Sequence, residues 1–254
     1  MSHRRIHVGL CAFLLAVPVA FAGQVNQLSP DGIWRTSRAA QGRAGLTPWI
    51  QPEKYQYVEL DAVALVGALE RAPMEFTNVA MAKPLIMTLA MPDGTFARFS
   101  VVESPVMDPA LGAKFPEIRT YLGQGIDDPH ATVRFDWTPA GFHAQILSPN
   151  GAVYIDPLWR NDTVSYASYY KSDYRKGADG FGCLVPGDQP TPLPQDSGGV
   201  ATGEVRRTYR LACAATGEYT AFHGGTQAAG LAAVVTAVNR VSGVYETEVA
   251  VRLS

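Results

Sequence analysis

The chain has 254 residues and a mass of 27.3 kDa; it is 47% hydrophobic and 17% charged, with a formal charge of −2. That length holds one large domain or two ordinary ones, and that composition is globular rather than disordered or fibrous. With no basic surplus to neutralise phosphates, a nucleic-acid partner is excluded.

The N-terminus has the form of a signal peptide. His3-Arg4-Arg5 is a positive head, residues 8–21 are apolar, and Ala20-Phe21-Ala22 has the small-x-small form that signal peptidase accepts. The apolar run falls short of the roughly 20 residues a span needs. Cleavage after Ala22 is expected, making 1–22 a signal peptide and the mature chain secreted or periplasmic. No later stretch reads as a stable membrane span. Cleavage removes Cys11 and leaves Cys183 and Cys213, which export would allow to pair.

Residues 23–52 read as an irregular lead-in with one short strand near 33–36. Residues 55–60 (YQYVEL) alternate as a strand, and Asp61 stands as N-cap to a short helix over 62–71 that Pro73 ends. Residues 85–91 and 95–103 form a hairpin about Pro92-Asp93-Gly94, where Asp-Gly supplies the positive φ of a tight turn. A helical turn over 107–115 follows. Strands over 118–122, 131–138, 142–147, 153–156 and 163–170, with turn residues between them, complete an antiparallel meander. Residues 23–185 thus read as one β-rich domain.

Residues 186–205 are rich in Pro and Gly and carry almost no large apolar side chain, so they read as a linker. Beyond it, 208–215 reads as an apolar strand, 227–242 as an amphipathic helix and 248–253 as a second strand. Such a βαβ unit carries a parallel pair and a right-handed crossover. Alone it leaves a sheet face and edges uncovered, which marks 206–254 as the incomplete start of a further domain. The fold class is α+β.

Several stretches resemble the propeptides of exported bacterial metallopeptidase precursors. They are Asp93-Gly94-x-Phe96, Val102-Glu103-Ser104-x-Val106-Met107, Phe115-Pro116-Glu117-Ile118-Arg119-Thr120-Tyr121, Gly123-Gln124-Gly125, Gly141-Phe142-His143, Ile146-Leu147-Ser148-Pro149 and Val153-Tyr154-Ile155-Asp156-Pro157. Tyr209-Arg210-Leu211-Ala212 with Ala215-Thr216-Gly217-Glu218-Tyr219-Thr220 resembles the first strand of a reprolysin-like metzincin domain. Ala237-Val238-Asn239-Arg240-Val241 with Gly243-Val244-Tyr245-Glu246 resembles its first helix. The resemblance implies the N-terminal part of a secreted zinc-dependent endopeptidase zymogen acting on proteins or peptides. Its propeptide would fold and block its own catalytic domain. Zinc would belong to the full-length parent, held by an HExxHxxGxxH motif downstream.

No such motif is present. The histidines are His3, His7, His130, His143 and His223; none is followed by Glu, and only His3 and His7 stand four apart, within the signal peptide. No catalytic or cofactor-binding residue is assigned, and this fragment alone is expected to bind no zinc. His130 reads as a solvated turn residue, His143 as a surface or half-buried strand position and His223 as a structural residue at a helix N-terminus. Asn161-Asp162-Thr163 is a formal glycosylation sequon.

Cys183, on a glycine-rich loop near the end of the proregion, has three open readings. It is a cysteine-switch ligand to the zinc of the missing domain, a disulfide partner of Cys213 in a buried strand, or an inert thiol. Gly182-Cys183-Leu184-Val185 stands where related animal enzymes carry a PKxCGV-type switch. Arg206-Arg207 is a candidate processing site, or an ordinary charged pair at a strand start. An exported β-rich binding or inhibitor module without catalytic activity is the alternative reading of the whole.

Overall fold

The computed structural model describes residues 26–37, 48–160, 162–174 and 205–254. Alternation of apolar and polar residues governs the first three of these ranges. Among the described residues, strands β1 (Trp34–Ser37), β2 (Gln56–Leu60), β3 (Leu85–Ala90), β4 (Phe96–Glu103), β5 (Arg119–Gly125), β6 (Thr132–Thr138), β7 (Gly141–Leu147), β8 (Val153–Pro157) and β9 (Ser165–Tyr170) form one sheet. Its order is β1-β2-β9-β8-β7-β6-β5-β4-β3, antiparallel throughout. The meander from β3 to β9 follows the sequence, while the N-terminal hairpin joins at β9.

The sheet curls into a half-barrel. The Thr88 N–H in β3 donates to Asp31 Oδ2 at 2.7 Å, just ahead of β1, and Ser168 Oγ in β9 donates to the Ala90 carbonyl at 2.7 Å. Alternate side chains fill the enclosed core: Val133 and Phe135 from β6, Phe142, Ala144 and Ile146 from β7, and Val153 and Ile155 from β8. Trp34, 0% exposed, meets Phe142 and Tyr166 edge to face at 5.2 and 5.6 Å. Helix α1 (Ala62–Leu69) buries Leu65, Ala68 and Leu69 in this core. Its N-cap is Asp61, whose Oδ1 accepts from the Val63 and Ala64 N–H groups, as the sequence predicts. Gly94 takes φ +86° in the β3–β4 turn, and Asp93 Oδ1 accepts from Thr95 N–H at 2.9 Å.

Two short helices, α2 (Asn78–Ala82) and α3 (Pro109–Gly112), lie in the connections; α2, capped by Thr77, has no counterpart in the sequence reading. In the C-terminal range, β10 (Arg207–Tyr209) leads through α4 (Gly217–Phe222) and α5 (Gln227–Val249) to β11 (Val251–Leu253). The two strands pair in parallel, as expected of a βαβ unit.

Three expectations need correction here. Of the strand expected over 208–215, residues 210–215 are not strand, and Thr216 is the N-cap that starts α4, accepting from Tyr219 N–H. Cys213 therefore lies on an exposed irregular stretch as a free thiol, not in a buried strand. Helix α5 also runs past Ser242-Gly243 to Val249. There Gly243 marks a close approach rather than a stop: a Cβ on it would stand 3.0 Å from Arg134 Cγ. By length and composition only, α5 is long and apolar enough to cross a membrane. Thr236, Asn239, Arg240 and Glu246 of this helix, however, hydrogen-bond to the sheet.

Candidate functional site

The face of the sheet turned away from the core should be wet, since its residues alternate with the apolar set. In the middle of the sheet it is not. Arg134 of β6 is 2% exposed, and Asp136, Gln145 and Asp156 are buried. Buried polar groups need partners, because an unpaired charge in a low-dielectric setting is costly. Helix α5 and strand β11 supply them.

Thr236, Asn239, Arg240, Gly243 and Glu246 recur every three to four residues, so they line one face of α5. Thr236 Oγ1 donates to Asp136 Oδ1 at 2.9 Å, the same oxygen that His143 Nδ1 meets at 3.1 Å. Arg240 Nη2 donates to Asp156 Oδ1 at 2.5 Å, and Tyr169 OH donates to Asp156 Oδ2 at 2.8 Å. Burial first, and then the Asp156 carboxylate, pushes the Tyr169 pKa up, so this phenol stays a donor. Arg134 donates to Glu246 Oε2 at 2.6 Å and to Ser104 Oγ at 3.0 Å, with Asn239 Oδ1 at 3.4 Å.

Arg252 of β11 completes the cluster. It grips Glu75 with two hydrogen bonds of 2.6 and 2.9 Å, donates to Ser104 Oγ at 3.2 Å, and pairs with Glu246 through Nε. The charges are reciprocal: the sheet side gives Arg134, Asp136, Asp156 and Glu75, and the C-terminal unit gives Glu246, Arg240 and Arg252. Near the other end of the contact Ala232 and Val235 pack on Val106 and Ile118, with Leu231, Val238, Met107 and Phe115 partly buried around them.

Glu246 is the hub. Burial alone would raise its carboxyl, but the Arg134 and Arg252 guanidiniums outweigh burial and hold it below the usual carboxylate range. A folded-state pKa below the unfolded value of about 4.3 gives stability that is complete above that pH and lost as the pH falls through the folded value. Acidification from pH 5 to pH 3 is therefore expected to loosen α5. A urea-unfolding midpoint for α5 that does not fall over that interval would contradict it.

Beside this contact, a cleft of about 290 Å³ separates Trp49, Trp159, Tyr169 and Tyr174 from α4 and α5. At its edge the Arg160 guanidinium lies 4.0 Å from the Trp49 ring and 4.5 Å from the Phe222 ring, and donates to the Phe222 carbonyl at the end of α4. His223 is the C-cap of α4, not a helix N-terminus as expected; burial and then Arg160 lower its pKa.

The remaining candidates fall as follows. Ala22, Cys183 and Asn161 lie outside the described residues, as does nearly all of the linker. His130 sits exposed in a turn, its N–H donating to Asp128 Oδ1 at 3.0 Å. His143 is half-buried on β7. Arg206 lies 3.7 Å from Glu246 Oε1 and over the Phe76 ring at 4.8 Å, while Arg207 is exposed in β10. Among the described residues, no three His, Cys, Asp or Glu side chains come together to hold a metal ion.

The C-terminal unit is similar to a known family. Residues 205–254 match the family model of the metallo-peptidase family M12B, reprolysin-like. No curated protein and no solved structure matches the chain. The match begins just before β10 and takes in α4, α5 and β11, so it coincides with the unit that docks on the sheet. The buried ion pairs join a metallopeptidase-like segment to a β-sheet that the match leaves out. That family depends on zinc. The described residues do not fit a zinc site.

Sequence reasoning missed the docking face itself. Its signal was present: Arg134 and Asp136 on the polar side of β6, and polar residues spaced three to four apart along an otherwise apolar helix.

Proposed function

We propose that this chain is the N-terminal part of a secreted or periplasmic zinc metalloendopeptidase zymogen. Residues 1–22 are its signal peptide, and 23–185 are a propeptide that assists folding and blocks activity. Residues 186–205 are the linker, and 206–254 open the catalytic domain. The observation that carries this reading is the reciprocal burial of α5, within the metallopeptidase-like segment, against the outer face of the sheet. A helix with one charged and one apolar face needs a template while the rest of its domain forms, and a curled sheet stable through its own core provides one. The same contact held in the mature fold would restrain that domain. Arg206-Arg207, at the head of the segment, is the processing site in this reading, and the zinc ligands belong to later parts of the parent.

The test is expression of the complete reading frame with and without residues 23–185. The expected result is latent, folded protein in the first case and misfolded protein in the second, with an in-frame HExxH beyond codon 254. Full peptidase activity and normal folding without the sheet would overturn the propeptide role.

A further inference from the structure

The loop Met74–Phe76 is strained and does not serve the core. Phe76 has φ +62°, in the left-handed region that a bulky residue adopts only at a cost, and the residue is 72% exposed. The loop is held from both sides. Glu75 N–H donates to the Glu103 carbonyl at 2.9 Å, and Glu103 N–H to the Pro73 carbonyl at 2.9 Å. Thr77 Oγ1 donates to the Met74 carbonyl at 2.7 Å while accepting from Ala80 N–H at 3.1 Å.

The partners of this loop are two cations. The Phe76 ring lies 4.8 Å from the Arg206 guanidinium carbon and 5.5 Å from that of Arg252, within cation–π range. Glu75 holds Arg252 with two hydrogen bonds. Arg206 immediately precedes β10 and Arg252 is the central residue of β11, so the loop grips both strands of the parallel ladder. That ladder fixes the dibasic pair: Arg207 N–H donates to the Ala250 carbonyl at 2.9 Å, and Thr208 pairs with Arg252. A trypsin-like peptidase takes its substrate extended, with the substrate backbone paired to the enzyme. A strand already paired must leave its ladder first.

We propose that Met74–Phe76 is a latch that shields the bonds after Arg206 and Arg207 from trypsin-like peptidases until β10 lifts from β11. Cleavage is a hydrolysis: water adds across the peptide bond, leaving an arginine carboxylate on the sheet side and a new amine on the next residue. Water is the only co-reactant, and the peptidase is the catalyst. The inference rests on the zymogen reading for its biological meaning, since it makes cleavage at the dibasic pair follow opening of the dock. The latch itself is a statement about access.

The experiment is a trypsin time course on the whole chain at neutral pH, with cuts mapped by mass spectrometry. When reclosing outpaces cleavage, the rate follows the open population. Phe76→Ala removes an exposed ring and leaves the sheet core intact, and it is expected to speed cleavage after Arg206 and Arg207 about threefold. Phe76→Ala combined with Glu75→Gln is expected to speed it tenfold or more, because Arg252 then keeps Glu246 alone as its carboxylate. An unchanged urea midpoint for the sheet in Phe76→Ala separates unlatching from unfolding. Equal rates in wild type and double variant, or wild-type cleavage as fast as in the urea-unfolded chain, would overturn the latch. Neither outcome bears on whether the complete frame encodes a latent peptidase, so the two ideas fail separately.

Discussion

Glu246→Gln is expected to undock α5 from the sheet at a cost of about 3–5 kcal/mol. The change is nearly isosteric, so it opens no cavity. It leaves the Arg134 guanidinium, which is almost wholly buried, without its carboxylate, and leaves Arg252 with Glu75 alone. Both cations then face one another across the space that Glu246 neutralised. Adding Arg134→Met removes one of them and should return part of the loss, with a coupling of about 0.5–3 kcal/mol between the two sites. Urea unfolding followed by helical circular dichroism measures both. Full additivity of the two substitutions would mean that the pair does not hold the dock.

Trp34→Ala is expected to cost the sheet about 3–5 kcal/mol, for a different reason. Trp34 fills the centre of the half-barrel against Phe142 and Tyr166, and its removal leaves a void that surrounding strands close only in part. The two substitutions separate two links of the chain of causes. Trp34→Ala should lower the unfolding midpoint of the sheet and release α5 with it, because the template is lost. Glu246→Gln should release α5 while the sheet keeps its midpoint. A sheet midpoint that falls equally in both would show one cooperative unit instead of a template and its client.

What the sequence made legible was local. Asp61 announces its helix because its carboxylate satisfies free N–H groups in the first turn. Asp93-Gly94 announces its hairpin because glycine alone takes that φ without strain. The alternation over β6 and β7 revealed two faces. What stayed hidden depends on distant pairings. Nothing near β1 and β2 says that they add to β9 rather than stand apart. Arg134 and Asp136 looked like the wet side of a strand, because the helix that covers them lies about a hundred residues later. The close approach at Gly243 stayed hidden for the same reason, since its lack of a side chain makes room for Arg134 across the interface. Helix α4 shows the limit of pattern: Thr216 caps a helix that the apolar run before it did not announce.

The central claim is that the sheet holds the metallopeptidase-like segment through its outer face, independently of the covalent link. A specific protease site placed in the Pro/Gly-rich stretch 186–203 allows that link to be cut in the otherwise intact chain. After complete cleavage at pH 7 the two pieces are expected to elute together as one species of unchanged mass, and to separate when Glu246→Gln is present. Separation of the wild-type pieces at neutral pH would contradict the claim.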